Sequence, residues 1–272
     1  LNNPKLKRRI DKVTDTFKKK SKKAICRQSQ QLKYLEKLTI DPEVFDYINS
    51  ITEESKFNCA YASATRIVNS DIFHCIDDTS YRFHSNVTNM DKGLRWYLRV
   101  NGEQLININI KNSQPYLSTI LLTDPGKVSW MVKYPAFAVL LQTLNISHNE
   151  DVKKYISLVI SGQLYEHLMS EFYKGGLPLN RTETKHQMIR ILFSRNRLPI
   201  ETTNRKAREI FIKTFPTVHK KFSKIRGHEK GNHFQNFKRF AILLQSIEAY
   251  LMLEVILKRI YNELPGTIAI TI

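Results

Sequence analysis

Apolar positions recur every three to four residues through most of this chain and alternate only in short runs. The clearest stripe is Val152, Tyr155, Ile156, Val159, Ile160, Leu164 and Leu168, which predicts helix over 150–173. Residues 41–70 also read as helical, with Asp41-Pro42 as cap and first-turn pair. From Gln114 to Leu144 the apolar content predicts two packed helices broken at Asp124-Pro125-Gly126. Gly175-Gly176 and Pro178 mark a loop. A long helical region then runs from Thr182 to about Arg226, interrupted at Pro199 and at Phe215-Pro216, and a final helix spans about His233 to Tyr261. Near the start, Ile10, Val13, Phe17, Ile25, Leu32, Tyr34 and Leu35 form a weaker helical stripe. Extended structure is predicted for Ser80–His84, for Gln104–Ile110 and for the β-branched run 267–272. The pattern is α+β and helix-rich, without internal repeats.

One extended run ends unusually. Leu105-Ile-Asn-Ile-Asn-Ile110 leads into Lys111, Asn112, Ser113 and Gln114, and Pro115 then stops it. An apolar run ending in a polar cluster predicts a buried strand that delivers side chains to a cleft. The 267–272 run has neither a turn nor a polar end, so the strand is expected to continue in a longer parent chain.

Charge narrows the partners. The 272 residues carry 43 Lys+Arg against 25 Asp+Glu, a net charge of +18. Such an excess repels itself unless a polyanion offsets it. Nucleic acid is the leading candidate, and an acidic membrane surface the second. The excess is concentrated in two places. The first 34 residues hold twelve Lys/Arg against Asp11 and Asp15, and Lys185–Arg226 holds twelve against two acids. The first of these reads either as a solvated helix or as a helix gripping a phosphate backbone. No apolar run approaches the roughly 20 residues of a spanning helix, no signal sequence opens the chain, and no membrane association is expected. The three cysteines, Cys26, Cys59 and Cys75, are widely spaced and suit reduced thiols in a cytoplasmic protein. Walker, GxGxxG, HExxH and GxSxG patterns are absent, and the eight histidines do not pair at metal-ligand spacing.

Three pieces remain in a fixed order. The first is Arg82-x6-Asn89, which includes His84, followed by the run ending at Asn109. The second is Arg181, Lys185, Ile189 and Phe193, spaced to share one helix face. Two cations followed by two apolar side chains suit a triphosphate and a base. Equally, the charges could face solvent while Ile189 and Phe193 face the core. The third is Gln245-x2-Glu248, readable either as a functional pair or as a helix's exposed edge.

Together these pieces resemble the palm and fingers of family A DNA polymerases. Arg82, Phe83, Ser85, Asn89 and Met90 follow the spacing of that family's Gly-Arg-Leu-x-Ser…Asn-Leu segment, with Tyr81 where glycine is usual. Asn109 stands at the family's first catalytic Asp, and Gln114 at the Glu that gates against the ribose 2′-hydroxyl. Ile110-Lys-Asn-Ser-Gln-Pro115 is similar to a divergent branch found on phage and mobile elements. Arg181, Lys185, Ile189, Phe193 and Ser194 occupy the fingers-helix positions. Asp151–Phe172 resembles the helix before the fingers, with Tyr165 where His is common, and Phe215-Pro216 resembles the Tyr-Pro segment after them. The likeness covers 81–272.

The resemblance implies a polymerase-like palm with a small antiparallel sheet over 81–125 and 227–272, helical fingers over 126–226, and a basic, thumb-like helical segment over 1–80. It assigns Arg181 and Lys185 to the phosphates of an incoming deoxynucleoside triphosphate and Phe193 to stacking at the template–primer junction. Gln245 goes to the primer–template minor groove, with Arg82, His84, Asn89 and Gln114 on nucleotide or DNA. Mg²⁺ is the family's cofactor, held in part at the Asn109 position and by the Ile110 backbone. DNA primer–template is the partner, the expected state is a monomer, and the setting is the cytoplasm of a bacterium or phage-infected cell.

Two departures set limits. Asn109 offers a carbonyl oxygen but no charge, whereas Mg²⁺ sites depend on anionic oxygen. In the family a second catalytic carboxylate follows a His just after the strand that corresponds to the one beginning near Gly266, and the given sequence ends before that position. The chain as given is therefore expected to be inactive. Two further readings stand beside the polymerase fragment: a catalytically degenerate polymerase-like module, and an unrelated helical nucleic-acid-binding protein.

Overall fold

The computed structural model describes residues 31–132, 135–144, 149–197, 200–227 and 238–270. The N-terminal basic stripe up to Ile25, Cys26, Pro199, the start of the last predicted helix at His233, and Thr271-Ile272 lie outside them. The described chain is helix-rich α+β with small antiparallel sheets, and it separates into two units, 31–108 with 249–270, and 109–248.

In the first unit, β1 (Leu38–Ile40), β4 (Leu98–Val100) and β5 (Glu103–Gln104) form an antiparallel sheet in that order. Leu38 pairs with Val100 and Ile40 with Leu98. These four side chains turn inward while Thr39 faces out, the period of two that a half-buried sheet requires. Asn101 and Gly102 both hold positive φ, 53° and 82°, so an Asn-Gly type I′ turn closes β4 onto β5. Helices α1 (Val44–Asn49) and α2 (Glu54–Val68) lie over this sheet and bury Val44, Ile48, Ala60, Ala64 and Ile67. The helix predicted over 41–70 thus breaks at 50–53. Ala249, Leu253 and Leu257 join the same core.

A second hairpin pairs β2 (His74–Ile76) with β3 (Phe83–Ser85), giving part of the extended segment expected at Ser80–His84. A short helix, α3 (Lys92–Arg95), precedes β4; the Asp91 side chain caps it by accepting from the Gly93 amide.

The strand expected over Gln104–Ile110 does not form. β4 is only three residues long because α3 ends just before it at Arg95, so after Glu103 and Gln104 pair and the Leu105 amide donates to the Leu98 carbonyl (3.4 Å), residues 106–110 run on past the end of β4. Ile106 and Ile108 are 87% and 86% exposed rather than buried. Nor are residues 267–270 a strand; the Tyr34 hydroxyl donates to the Thr267 carbonyl and the Tyr261 hydroxyl to that of Ala269.

The second unit is helical. It contains α4 (Ser113–Ser118), α5 (Ile120–Thr123), a 3₁₀ turn at Pro125–Met131, and α6 (Pro135–Thr143). Next come α7 (Glu150–Ile160), α8 (Leu164–Lys174), α9 (Arg181–Phe193), α10 (Thr202–Thr214) and α11 (Pro216–Arg226), and then α12 (Lys238–Tyr250) as far as Glu248. The stripe predicted over 150–173 is split at Gly162, whose φ of 74° sets a Schellman stop; Gln163 donates to the Leu158 carbonyl and Gly162 to that of Val159. Val152, Tyr155, Val159, Leu164 and Leu168 are buried as expected, but Ile160 is 67% exposed. Tyr155 packs edge-on against Phe215 and Phe222, and Phe222 meets Phe240 at 4.8 Å between ring centroids.

The last helix continues through a π segment, Leu251–Ile256, to α13 (Leu257–Glu263). By length and composition Lys238–Glu263 could cross a bilayer, which qualifies the expectation drawn from apolar run length. Its most apolar window is 44% buried within the protein.

Candidate functional site

The Arg82–Asn89 segment belongs to the first unit. Its hairpin loop is organised by Asp77, whose carboxylate accepts from the amides of Thr79 (2.8 Å), Ser80 (2.6 Å) and Arg82 (3.0 Å) and from the Ser80 hydroxyl (2.9 Å). His84 Nε2 reaches the same carboxylate at 3.2 Å. Burial pushes the Asp77 carboxyl up, but donation from Ser80, Thr79 and His84 outweighs it and holds the group below its ordinary value. His84 is therefore engaged in holding the loop. Arg82 contributes its backbone amide there, and its side chain is partly buried. Asn89 is exposed and lines a groove of about 610 Å³ together with Tyr47, Lys56, Ser63 and Asp91.

The remaining site residues lie in the second unit. Asn109 is exposed and Ile110 partly buried. Asn112 takes a left-handed conformation (φ 56°) that turns the chain from residues 109–111 into α4. This places Gln114 in the first turn of α4, where its Nε2 donates to Glu248 Oε2 at 3.0 Å. The start of α4 is tied down again by a buried relay. Ser118 Oγ donates to the Pro115 carbonyl at 2.6 Å, so the Tyr155 hydroxyl donates to Ser118 Oγ at 2.9 Å. Burial drives the Tyr155 phenol far above its ordinary value, keeping it a neutral donor.

Helix α9 begins at a capping box. Asn180 Oδ1 accepts from the Glu183 amide at 3.0 Å, and Glu183 Oε2 accepts from the Asn180 amide at 2.8 Å. Its buried face carries Thr184, Gln187, Met188, Ile191 and Leu192. Arg181 and Lys185 are exposed, and Ile189 and Phe193 are partly exposed. Both readings put the charges in solvent, and Ile189 and Phe193, half-buried, stand between the two.

Arg181 Nε donates to Glu166 Oε1 at 2.8 Å, and its guanidinium stacks over Tyr165 at 5.5 Å from the ring centroid. That hydrogen bond holds the Glu166 carboxyl below its ordinary value, and the charge of Lys111 adds to the effect. Lys111 lies against Gly162: a Cβ on that glycine would stand 3.0 Å from Nζ, so the close approach depends on glycine as much as the turn does. Between Lys111 and Gly162 lies a shallow depression of about 220 Å³, with Tyr116 and Ile160 on its wall.

The C-terminal end of α9 is closed by Arg226, 1% exposed, which donates through Nη1 to the carbonyls of Ile191 (2.5 Å) and Leu192 (3.3 Å) and through Nη2 to Ser223 Oγ (3.2 Å). Arg208 Nη1 donates to the carbonyls of Arg195 (2.5 Å) and Arg197 (3.0 Å) in the following loop. The start of α11, at Phe215-Pro216, is capped from α7: Asp151 Oδ2 accepts from the Thr217 amide at 2.7 Å.

The structure therefore brings the 109–114 run to Glu248 through Gln114 and to the turn before α8 through Lys111 at Gly162, and it joins α8 to α9 through Glu166 and Arg181. Gln245 lies partly buried one turn before Glu248. Glu166 and Arg226 have no signal in the sequence. Glu166 and Arg181 both open their helices, so no helical spacing pairs them, and the carbonyls Arg226 meets are set by how α11 crosses α9.

Mg²⁺ does not fit the described donors. Asn109 is a neutral amide, and the described residues hold no group of three or more His, Cys, Asp or Glu side chains able to share an ion. No protein-family model, curated protein or solved structure matches this chain.

Proposed function

We propose that this chain is the palm and fingers part of a family A-like DNA polymerase, a template-dependent nucleotidyl-transfer protein of a phage or mobile element. It binds deoxynucleoside triphosphates and a DNA primer–template. The observation that carries this reading is the outer face of α9. Arg181 and Lys185 stand exposed one turn apart, with Ile189 and Phe193 partly exposed along the same line. Cations set above apolar and aromatic surface suit a ligand that is phosphate at one end and base at the other. Gln114, at the gate position, supports the reading because Glu248 fixes its amide.

Within this proposal the chain's own residues bind and orient. Lys185 and Arg181 receive phosphate oxygens, Phe193 offers a stacking face, and the basic surfaces of α10 and α11 attract the DNA backbone. Metal-ion chemistry has no carboxylate at Asn109 to rest on. That same residue favours a second reading, a polymerase-like module that binds primer–template and nucleotide without extending the primer.

Binding and primer extension by the full-length protein test both. Lys185→Ala should weaken deoxynucleoside triphosphate binding about 10- to 100-fold, the loss expected for one charge-assisted contact, and leave duplex binding within about twofold. An equal loss of both would reduce α9 to a generic basic helix. Asn109→Asp should raise primer extension over wild type; equal, substantial activity in both proteins would remove Asn109 from the metal position.

A further inference from the structure

We infer that Glu166 is an internal stand-in for phosphate on Arg181, which holds that guanidinium until a polyphosphate displaces it, and that Lys111, lying beside Gly162 just before α8, is a third phosphate-binding cation. The inference rests on the nucleotide reading above and adds a built-in competitor to that site.

The arrangement is a carboxylate set among cations. Arg181 donates to Glu166 from one side at 2.8 Å. Lys111 lies against Gly162, in the turn that leads into α8, with its charge near the same carboxylate. Lys185 follows Arg181 by one turn on the exposed side of α9, and has no ion-pair partner among the described residues. One carboxylate thus answers the nearest of three cations, and Lys111 and Lys185 add to the positive charge of the α8–α9 side of the unit.

A surface carboxylate compensates only part of that charge, whereas a triphosphate carries several charges and more acceptor oxygens. The exchange is easy because the Arg181 and Glu166 side chains are 50% and 43% exposed, and an exposed pair contributes little to stability. Arg181 is also held ready for its new partner. Its guanidinium lies over the buried Tyr165 ring, which limits its freedom whether Glu166 is attached or not. Arg181 has only its Nε engaged by a carboxylate, and its two terminal nitrogens meet no acceptor among the described residues. A phosphate can take both in a bidentate bond that Glu166 does not make.

The alternative for Glu166 is a structural ion pair that merely fastens α8 to α9. The two roles differ in sign. A competitor, once neutralised, lets the ligand bind more tightly; a fastener, once neutralised, loosens the helices and binding falls or stays level.

The test is titration of the full chain with inorganic triphosphate and, separately, with a deoxynucleoside triphosphate, at fixed low ionic strength, for wild type, Glu166→Gln, Lys111→Gln, Arg181→Gln and the Glu166→Gln/Arg181→Gln double variant. Glu166→Gln should bind triphosphate about 3- to 5-fold tighter, the fold-change equivalent to losing one exposed ion pair. Lys111→Gln should bind more weakly by a similar factor. The gain from Glu166→Gln should vanish in the double variant, because Arg181 is the group it frees. Thermal unfolding of each variant reports whether the fold is kept. Unchanged or weaker triphosphate binding in a folded Glu166→Gln protein would overturn the inference. Deoxynucleoside triphosphate binding that is lost in Lys185→Ala, titrated alongside, but unchanged in Glu166→Gln would overturn it while leaving the proposed function intact. Tightening toward inorganic triphosphate without any contribution from the nucleoside would sustain the inference and remove the polymerase reading.

Discussion

Gln114 and Glu248, 134 positions apart in the chain, meet side chain to side chain at 3.0 Å. Because Glu248 accepts the amide nitrogen, the Gln114 carbonyl oxygen is turned the other way; it is buried and has no hydrogen-bond partner among the described residues. Glu248→Ala should leave the amide donor unpaired as well, destabilising the protein by about 1–3 kcal/mol. Glu248→Gln, which keeps an acceptor, should lose less than half as much. Urea unfolding of the two variants checks the ordering.

The relay from Tyr155 through Ser118 to the Pro115 carbonyl holds the start of α4 against α7. Tyr155→Phe keeps the ring's edge-on contacts with Phe215 and Phe222 and removes one buried donor. The expected loss is about 1 kcal/mol. Tyr155→Ala removes the ring too and should lose about 3–5 kcal/mol. The gap between the two, read from the shift in denaturation midpoint, separates the hydroxyl from the packing.

Arg226 is a buried cation whose partners among the described residues are carbonyls and a hydroxyl rather than a carboxylate. Burial, and after it the charge of Arg208, pushes the guanidinium down to about 9. It therefore stays protonated at neutral pH, and the carbonyl and hydroxyl acceptors offset its desolvation. Arg226→Met should uncap the last turn of α9 and lower stability by about 2–4 kcal/mol. Arg226→Lys should recover only part of this, because an ammonium cannot span the carbonyls and Ser223 at once. Hydrogen exchange at Ile191–Ser194 should rise in both variants.

His219 is pushed down to about 4, first by burial and then by Arg226 and Arg208. Its folded-state value thus lies below the unfolded one near 6.5, so the unfolded chain binds the extra proton. Stability from this residue is complete above pH 6.5 and falls as pH drops from 6.5 toward 4, by roughly 2–3 kcal/mol. Denaturation midpoints measured across pH 4–7 should slope less steeply in His219→Gln than in wild type.

Much of the helical layout was legible from periodicity. The apolar stripe of 150–173 and the breaks at Gly175-Gly176 and Phe215-Pro216 all lie where residue type alone determines backbone preference. The strand expected at 104–110 was misread because alternation states only that a strand could form. Pairing needs a neighbour, and β4, three residues long, gives one only as far as Leu105. Ile160 matched its stripe, yet it sits two residues before the Schellman stop at Gly162, where the helix ends and its face is no longer covered.

The site divides in the same way. The spacing of Arg181, Lys185, Ile189 and Phe193 determined, by helical geometry alone, that these residues share a line on α9. Whether that line faces the core or solvent was decided by tertiary packing, because Thr184, Gln187, Met188, Ile191 and Leu192 make an equally continuous face and are the ones covered. The charge excess followed from composition. That Arg181 is met by Glu166 and Tyr165, Gln114 by Glu248 and the end of α9 by Arg226 did not, since each pair is distant in sequence and is joined only by how the helices cross. Local backbone preference is written residue by residue; contact between helices depends on the sum of many weak packing terms, and only the folded chain evaluates that sum.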